Sequence, residues 1–386
     1  MMTSKLPARG DAPDMRTLVT RALADPQHTP LITSVGTAAV IETAAAHRVL
    51  VLLGDRLRAA GALERWPSAF RQAFDTAERA AAAIDCIRHV ELVRVLDALG
   101  RTAVRALLFK GAALAYTHYD APHLRERTDT DILIAPDGIP VVERALLALG
   151  YQPQDETTGH LVSYQRHFGK RDRHGVFHAL DLHWKISNRH DLADRLAFEE
   201  LWAERAAVPV PGSSASTVSA IHALLLALVH RSGHHPGSSN ILWIYDLHLL
   251  ASRMPDQELE RVASLAASRG LASIACDGLA TTREWFSTPR LDATGRAIRA
   301  MVPHAVGNDA RVIPGRWAQA DIVRHDLQSL TTWSARGRLV REHLFPPSSY
   351  IRGKYGVRSP LLLPALYAWR IVSGAPRWLR RNDAAG

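Results

Sequence analysis

An α+β fold is predicted: a small mixed β-sheet core flanked by N-terminal and C-terminal helical regions. Three observations predict it. From Met15 to about Gly100 apolar residues recur at three- and four-residue spacings. At Val104 the texture changes to short apolar runs alternating with turns. Beyond about Asn188 the helical spacing returns.

The elements follow in order. Residues 1–14, charged and rich in proline, are expected as a disordered leader. Residues 15–100 form an N-terminal helical region, with Gly61 and Gly100 as stops. In residues 101–190 the runs VRALLF, TDTDILIA, VSYQRHFGK and VFHALDLHWKI read as strands, and KGAALAYTHY and PDGIPVVERALLALG as helices. Residues 191–310 return to helices through LADRLAFEELWAERA, TVSAIHALLLALVHRS and NILWIYDLHLLASRM. Residues 311–386 are a basic, proline-interrupted aromatic tail. At about 100–200 residues per domain, the length suits two or three domains.

The balance of residues excludes several classes. A chain with 47% hydrophobic and 22% charged residues buries sizeable cores, and disorder as its main state is ruled out. Cys86 and Cys276 lie in separate helical patterns, so there is no disulfide framework or CxxC metal site. The start lacks the continuous apolar stretch of a secretory signal, and no later run reaches about 18 uncharged residues. A cytoplasmic location is the expectation. The net charge of +9 is almost wholly arginine, with only five lysines. Arginine suits phosphate through its planar fork, and it equally follows from a GC-rich genome, so the charge permits a nucleotide or nucleic-acid partner without requiring one.

The most informative segment is Arg125-Glu126-Arg127-Thr128-Asp129-Thr130-Asp131-Ile132-Leu133-Ile134. Side chains alternate across a strand, so Asp129 and Asp131 share one face while Ile132 and Ile134 take the other. Two adjacent carboxylates repel unless a cation lies between them, and a pair of divalent ions is one solution that also clamps a phosphoryl displacement. Solvent exposure at a strand end is the plainer alternative. Upstream, Leu107-Leu108-Phe109-Lys110-Gly111 is a buried strand opening directly into a helix. Gly111 allows close backbone approach, the helix N-terminus favours anions, and Lys110 adds positive charge, so a triphosphate could bind there. Downstream, Asp181 interrupts an apolar strand and His183 shares its face at i+2. Beside the Asp129 strand, Asp181 would complete a three-carboxylate site. His183 and Trp184 suit core packing as well as they suit catalysis.

Lys-Gly after a strand, Arg125 four residues before D-x-D, and a distant D-L-H-W together resemble the nucleotidyltransferase superfamily related to DNA polymerase β. The chain is most similar to a bacterial branch labelled uncharacterised nucleotidyltransferase. Leu108 to Gly111, with Phe109 inserted before Lys110, match its L-K-G; Tyr119 to Ile134 match its Y-x-x-P-x-x-R-x-x-x-D-I-D-L-L-V. Leu146 to Tyr151 and Leu180 to Trp184 match its L-x-x-x-G-Y and V-D-L-H-W, and His230 and Asp246 match a downstream helical region. The resemblance covers roughly residues 90 to 285. The superfamily more often has Gly-Gly or Gly-Ser where this chain has Lys-Gly, and Thr130 replaces the usual apolar residue between the aspartates.

This resemblance implies that Asp129, Asp131 and Asp181 hold two Mg²⁺ ions and that Asp181 helps activate an acceptor hydroxyl. It implies that Lys110, Gly111 and Arg125 meet the phosphates of an NTP such as ATP. The reaction implied is transfer of a nucleoside monophosphate to an acceptor with release of pyrophosphate, the acceptor being a glycan precursor, a peptide or a protein. A toxin-like transferase acting on tRNA and an inactive nucleotide-binding scaffold are the competing classes. His183, His230 and Asp246 are further nucleotide-binding candidates: His230 also suits helix capping, and Asp246 also suits bracing helices. His222 and His230 are eight residues apart, too far along one helix for a shared metal shell, and His234 and His235 read as the following loop. The tail, with LLLPALYAWRIV and PRWLRR, suits a membrane surface or packing on protein.

Overall fold

The structure, a computed structural model, describes residues 15–29, 34–154, 161–234, 240–301, 309–310, 319–357 and 359–379. The proposed leader, His235, and part of the tail lie outside the described residues. Among the described residues no single helix is long and apolar enough to cross a membrane.

Four helices open the chain: α1 (Met15–Ala24), α2 (Ser34–Ala46), α3 (Leu50–Ala59) and the 33-residue α4 (Ser68–Gly100). Helices α2 and α3 meet at a bend of 114°, where Arg48 adopts φ +56°. Gly54 of α3 lies against Phe74 of α4, and the Phe74 ring occupies the space a β-carbon there would need.

The core follows with β1 (Ala106–Phe109), α5 (Lys110–Thr117), β2 (Asp129–Ile134), α6 (Ile139–Ala148), β3 (Gln152–Pro153), β4 (Gln165–Arg171) and β5 (Phe177–His183). The sheet order is β1-β2-β5-β4-β3. Strands β2 and β5 run parallel and the other pairs antiparallel, so the sheet is mixed. Alternation sorts its two faces as expected. Leu108, Ile132, Ile134, Leu180 and Leu182 join α4 and α6 in one apolar cluster. Leu107, Phe109 and Leu133 face the other way, into a cluster that runs from Leu18 to Ala310.

The next stretch departs from expectation. The single helical segment expected across residues 192–206 is two short helices, α7 (His190–Ala193) and α8 (Phe198–Ala203). A hairpin of β6 (Ala206–Val208) and β7 (Ala215–Thr217), absent from the reading of the sequence, follows. Pro209 and Pro211 cannot continue a helix, and Gly212 takes φ +80° in the turn. Helices α9 (Ala220–His234), α10 (Ile241–Arg253), α11 (Asp256–Ser268), α12 (Ala272–Phe286) and α13 (Arg290–Met301) then pack together. The described part of the tail is helical: α14 (Gln319–Ser329), α15 (Trp333–Leu344), α16 (Ser348–Tyr355) and α17 (Leu363–Leu379).

Candidate functional site

Strand register assembles the site. Phe109, Asp131, Asp181 and His167 lie in one row across β1, β2, β5 and β4. Residues opposite one another on neighbouring strands point to the same side, so Asp131 and Asp181 come together although fifty residues separate them. Asp129 pairs with Ala179, one step earlier along the same face. The three acids open into a cleft of about 640 Å³, and Lys110, Gly111, Arg125, His230 and Asp246 line it too. That volume falls in the range of small-molecule sites. His183 is not on the cleft wall: it is 1% exposed and stands behind Asp131.

At the centre, Lys110 donates from Nζ to Asp131 Oδ1 at 2.7 Å, and His183 Nε2 lies 2.9 Å from the same oxygen. Lys110 adopts φ +53° at the start of α5. A non-glycine residue in that region is strained, and the ion pair is what its aim secures. Arg48, the other cleft-lining residue with this backbone, reaches the site from the α2–α3 bend.

Electrostatics separate the two aspartates of β2. Burial alone would raise the Asp131 carboxyl, but the Lys110 ammonium and the His183 hydrogen bond hold it well below the usual carboxylate range. Asp129 has no such partner at hand, and burial followed by repulsion from Asp131 and Asp181 pushes it up to about 6. Burial, with Lys110 beside it, lowers the His183 imidazole, which keeps it neutral at pH 7.

A second layer orders the rim. Asp246 on α10 accepts from Arg125 Nε at 2.9 Å, from Arg125 Nη2 at 2.7 Å and from the Tyr119 hydroxyl at 2.7 Å. Asp246 thus braces Arg125. Burial opposes the Arg125 charge, and Asp246 overrides it and moves the guanidinium pKa up. A β-carbon on Gly111 would lie 3.3 Å from Arg125 Nη2, so glycine there makes room for this guanidinium. Arg127, also on the cleft wall, is held by Asp85 of α4 at 2.6 Å. His230 sits edge-on to Trp243 with ring centres 5.7 Å apart, and both line the cleft. His222 is fully buried beside Ser219 and Glu200, away from the cleft.

Sequence reasoning missed Arg48, Arg127 and His167. His167 Nδ1 lies 2.6 Å from Asp181 Oδ1, and its Nε2 is 2.8 Å from Gln165 Nε2. Alternation along QRHFGKR puts Gln165 and His167 on one face, but only pairing with β5 shows that Asp181 lies opposite.

Asp131, Asp181 and His183 offer ligand atoms that all lie within 4.8 Å of one another, so they could hold a divalent cation. Two carboxylates and a neutral imidazole suit such an ion chemically. Asp129, raised to about 6 by burial first and then by repulsion from Asp131 and Asp181, would hold its charge more readily beside a bound cation. With cationic side chains from Arg48, Lys110, Arg125 and Arg127 along the same walls, the cleft can take a polyanion beside a metal-binding acid cluster.

The model of a family described as "Uncharacterised nucleotidyltransferase" matches residues 33–287. None of the curated proteins matches the chain. Among solved structures, the crystal structure of an antigenic nucleotidyltransferase-like protein from Paracoccidioides brasiliensis is similar at 14% identity and a TM-score of 0.34. That likeness covers 55% of this chain and 92% of the other.

Proposed function

This chain belongs to the uncharacterised nucleotidyltransferase family and is a nucleotidyltransferase. From that premise we propose that it transfers a nucleoside monophosphate from an NTP, ATP among them, to a hydroxyl of a non-nucleic-acid acceptor with release of pyrophosphate. The acceptor class is a glycan precursor, a peptide or a protein. The carrying observation is the register that sets Asp181 beside Asp131, with Asp129 on the same face and Lys110 on the Asp131 carboxylate.

Asp129, Asp131 and Asp181, backed by His183, are the residues that would hold Mg²⁺. An ion held there would supply positive charge to offset the phosphates and the charge that builds on the leaving pyrophosphate. Lys110 lies at the start of α5, where a triphosphate oxygen gains both its ammonium and the helix N-terminus. Arg125 presents a guanidinium whose direction Asp246 and Gly111 fix. Asp181, oriented by His167, accepts the proton of the attacking hydroxyl. The acceptor oxygen forms a bond to the α-phosphorus as the bond to pyrophosphate breaks, so atoms balance without a further reactant.

The test is thermal stabilisation by Mg·NTP together with pyrophosphate release against glycan, peptide and protein acceptors. Asp129→Asn and Asp131→Asn are each expected to abolish Mg-dependent stabilisation and to lower release at least 100-fold. Stabilisation by no NTP in the wild type overturns the proposal.

A further inference from the structure

A second cavity, of about 660 Å³, lies between the core sheet and α15. Three arginines and two aromatic rings face it: Arg166, Arg338, Arg341, Trp184 and Phe345. Arg166 is paired with Glu143 of α6. Arg338 and Arg341 stand one turn apart on α15, exposed, and make no ion pair among the described residues. Glu342, the acid on this wall, is engaged elsewhere. Its Oε2 accepts from the backbone N–H of Leu161 at 2.7 Å and of Val162 at 3.1 Å, which pins α15 in front of the sheet. The Tyr367 hydroxyl on α17 donates to the Pro346 carbonyl at 2.6 Å and holds the far end of that segment. Phe345 is 53% exposed and packs on one side against Tyr367, with ring centres 5.6 Å apart.

The cavity shares a wall residue with the catalytic cleft. Gln165 lines both, and through His167 it is linked to Asp181. A molecule seated against α15 therefore lies beside β4, the strand whose His167 contacts Asp181.

We propose that this cavity is the acceptor subsite, where Arg338 and Arg341 hold a phosphate or carboxylate of the acceptor and Trp184 and Phe345 receive a flat or apolar part of the same molecule. The inference rests on the transferase reaction proposed above. Arginines one turn apart can each present two donors to one anion, and the half-buried Trp184 and exposed Phe345 beside them select a ligand with an apolar portion over a bare ion. Both arginines lie C-terminal to residues 33–287, the part of the chain that the family model matches.

Calorimetric titration of the full chain with phenyl phosphate, phenylacetate and inorganic phosphate tests this. At least one ring-bearing probe is expected to bind tenfold or more tightly than inorganic phosphate, and the stronger of the two names the anion. Arg338→Ala with Arg341→Ala is expected to weaken that binding at least tenfold, with Tm unchanged because both side chains are exposed. Lys110→Ala, in the other cleft, is expected to change it less than twofold. Equal binding by the double arginine variant, loss on Lys110→Ala instead, or no preference for a ring overturns the subsite. Mg·ATP stabilisation measured on the same samples reports separately on the reaction, since it depends on Asp131 and not on Arg338 or Arg341.

Discussion

Asp129 and Asp131 are two residues apart on one strand, yet their protons behave oppositely because only Asp131 touches a cation. Asp129 is raised from 3.8 to about 6 in the folded chain, so between about pH 4 and pH 6 the folded state holds a proton that the unfolded state has released. Its contribution to stability is therefore lost as pH rises through that window. Asp129→Asn is expected to flatten the decline in Tm between pH 4 and pH 6, read by scanning calorimetry. Asp326, also pushed up to about 6 by burial, acts with the same sign and leaves a residual slope. Binding of a divalent cation by the wild type strengthens over the same interval, because Asp129 must give up its proton to carry charge.

Elements bring side chains to the cleft by bending and by close packing. The α2–α3 bend places Arg48 in the left-handed region, a conformation that costs a non-glycine residue about 1 kcal/mol or more. Arg48→Gly is expected to leave Tm level or slightly higher while weakening Mg·ATP binding several-fold, checked by melting and titration of one sample. Close packing gives the opposite result at Gly54. A β-carbon there would lie 2.0 Å from the Phe74 ring, and Phe74 is fully buried with nowhere to turn. Gly54→Ala is expected to destabilise by about 1–3 kcal/mol, seen as a lower denaturant midpoint, with nucleotide affinity of the folded protein unchanged. Element types were largely legible from periodicity, since helix and strand repeats are local properties. The α7–α8 break was not, because apolar spacing runs on unbroken through 192–206, nor was the β6–β7 hairpin, where that spacing outweighed the signal of Pro209 and Pro211.

Across the whole molecule, the site is assembled from three stretches of chain: Arg48 from the first helices, the acids and Arg125 from the sheet region, and His230 and Asp246 from the later helices. The Arg125–Asp246 pair ties the last two together and is buried on both sides, with side chains 8% and 6% exposed. Removing one partner leaves an uncompensated buried charge, so Asp246→Ala is expected to cost about 3–5 kcal/mol in chemical denaturation. The same substitution frees Arg125 and the Tyr119 hydroxyl, so Mg·ATP affinity is expected to fall with it. From the sequence alone came the fold class, the shared face of Asp129 and Asp131, and the strand-to-helix turn at Lys110, because the two-residue strand repeat and the Lys-Gly turn act over a few residues. Tertiary structure alone decided that Asp181 meets Asp131, that Lys110 turns onto a carboxylate, that Asp246 braces Arg125, and that His167 and Arg48 take part. Each of those depends on register or on contacts between residues far apart in the chain, and no local pattern encodes which partner lies opposite.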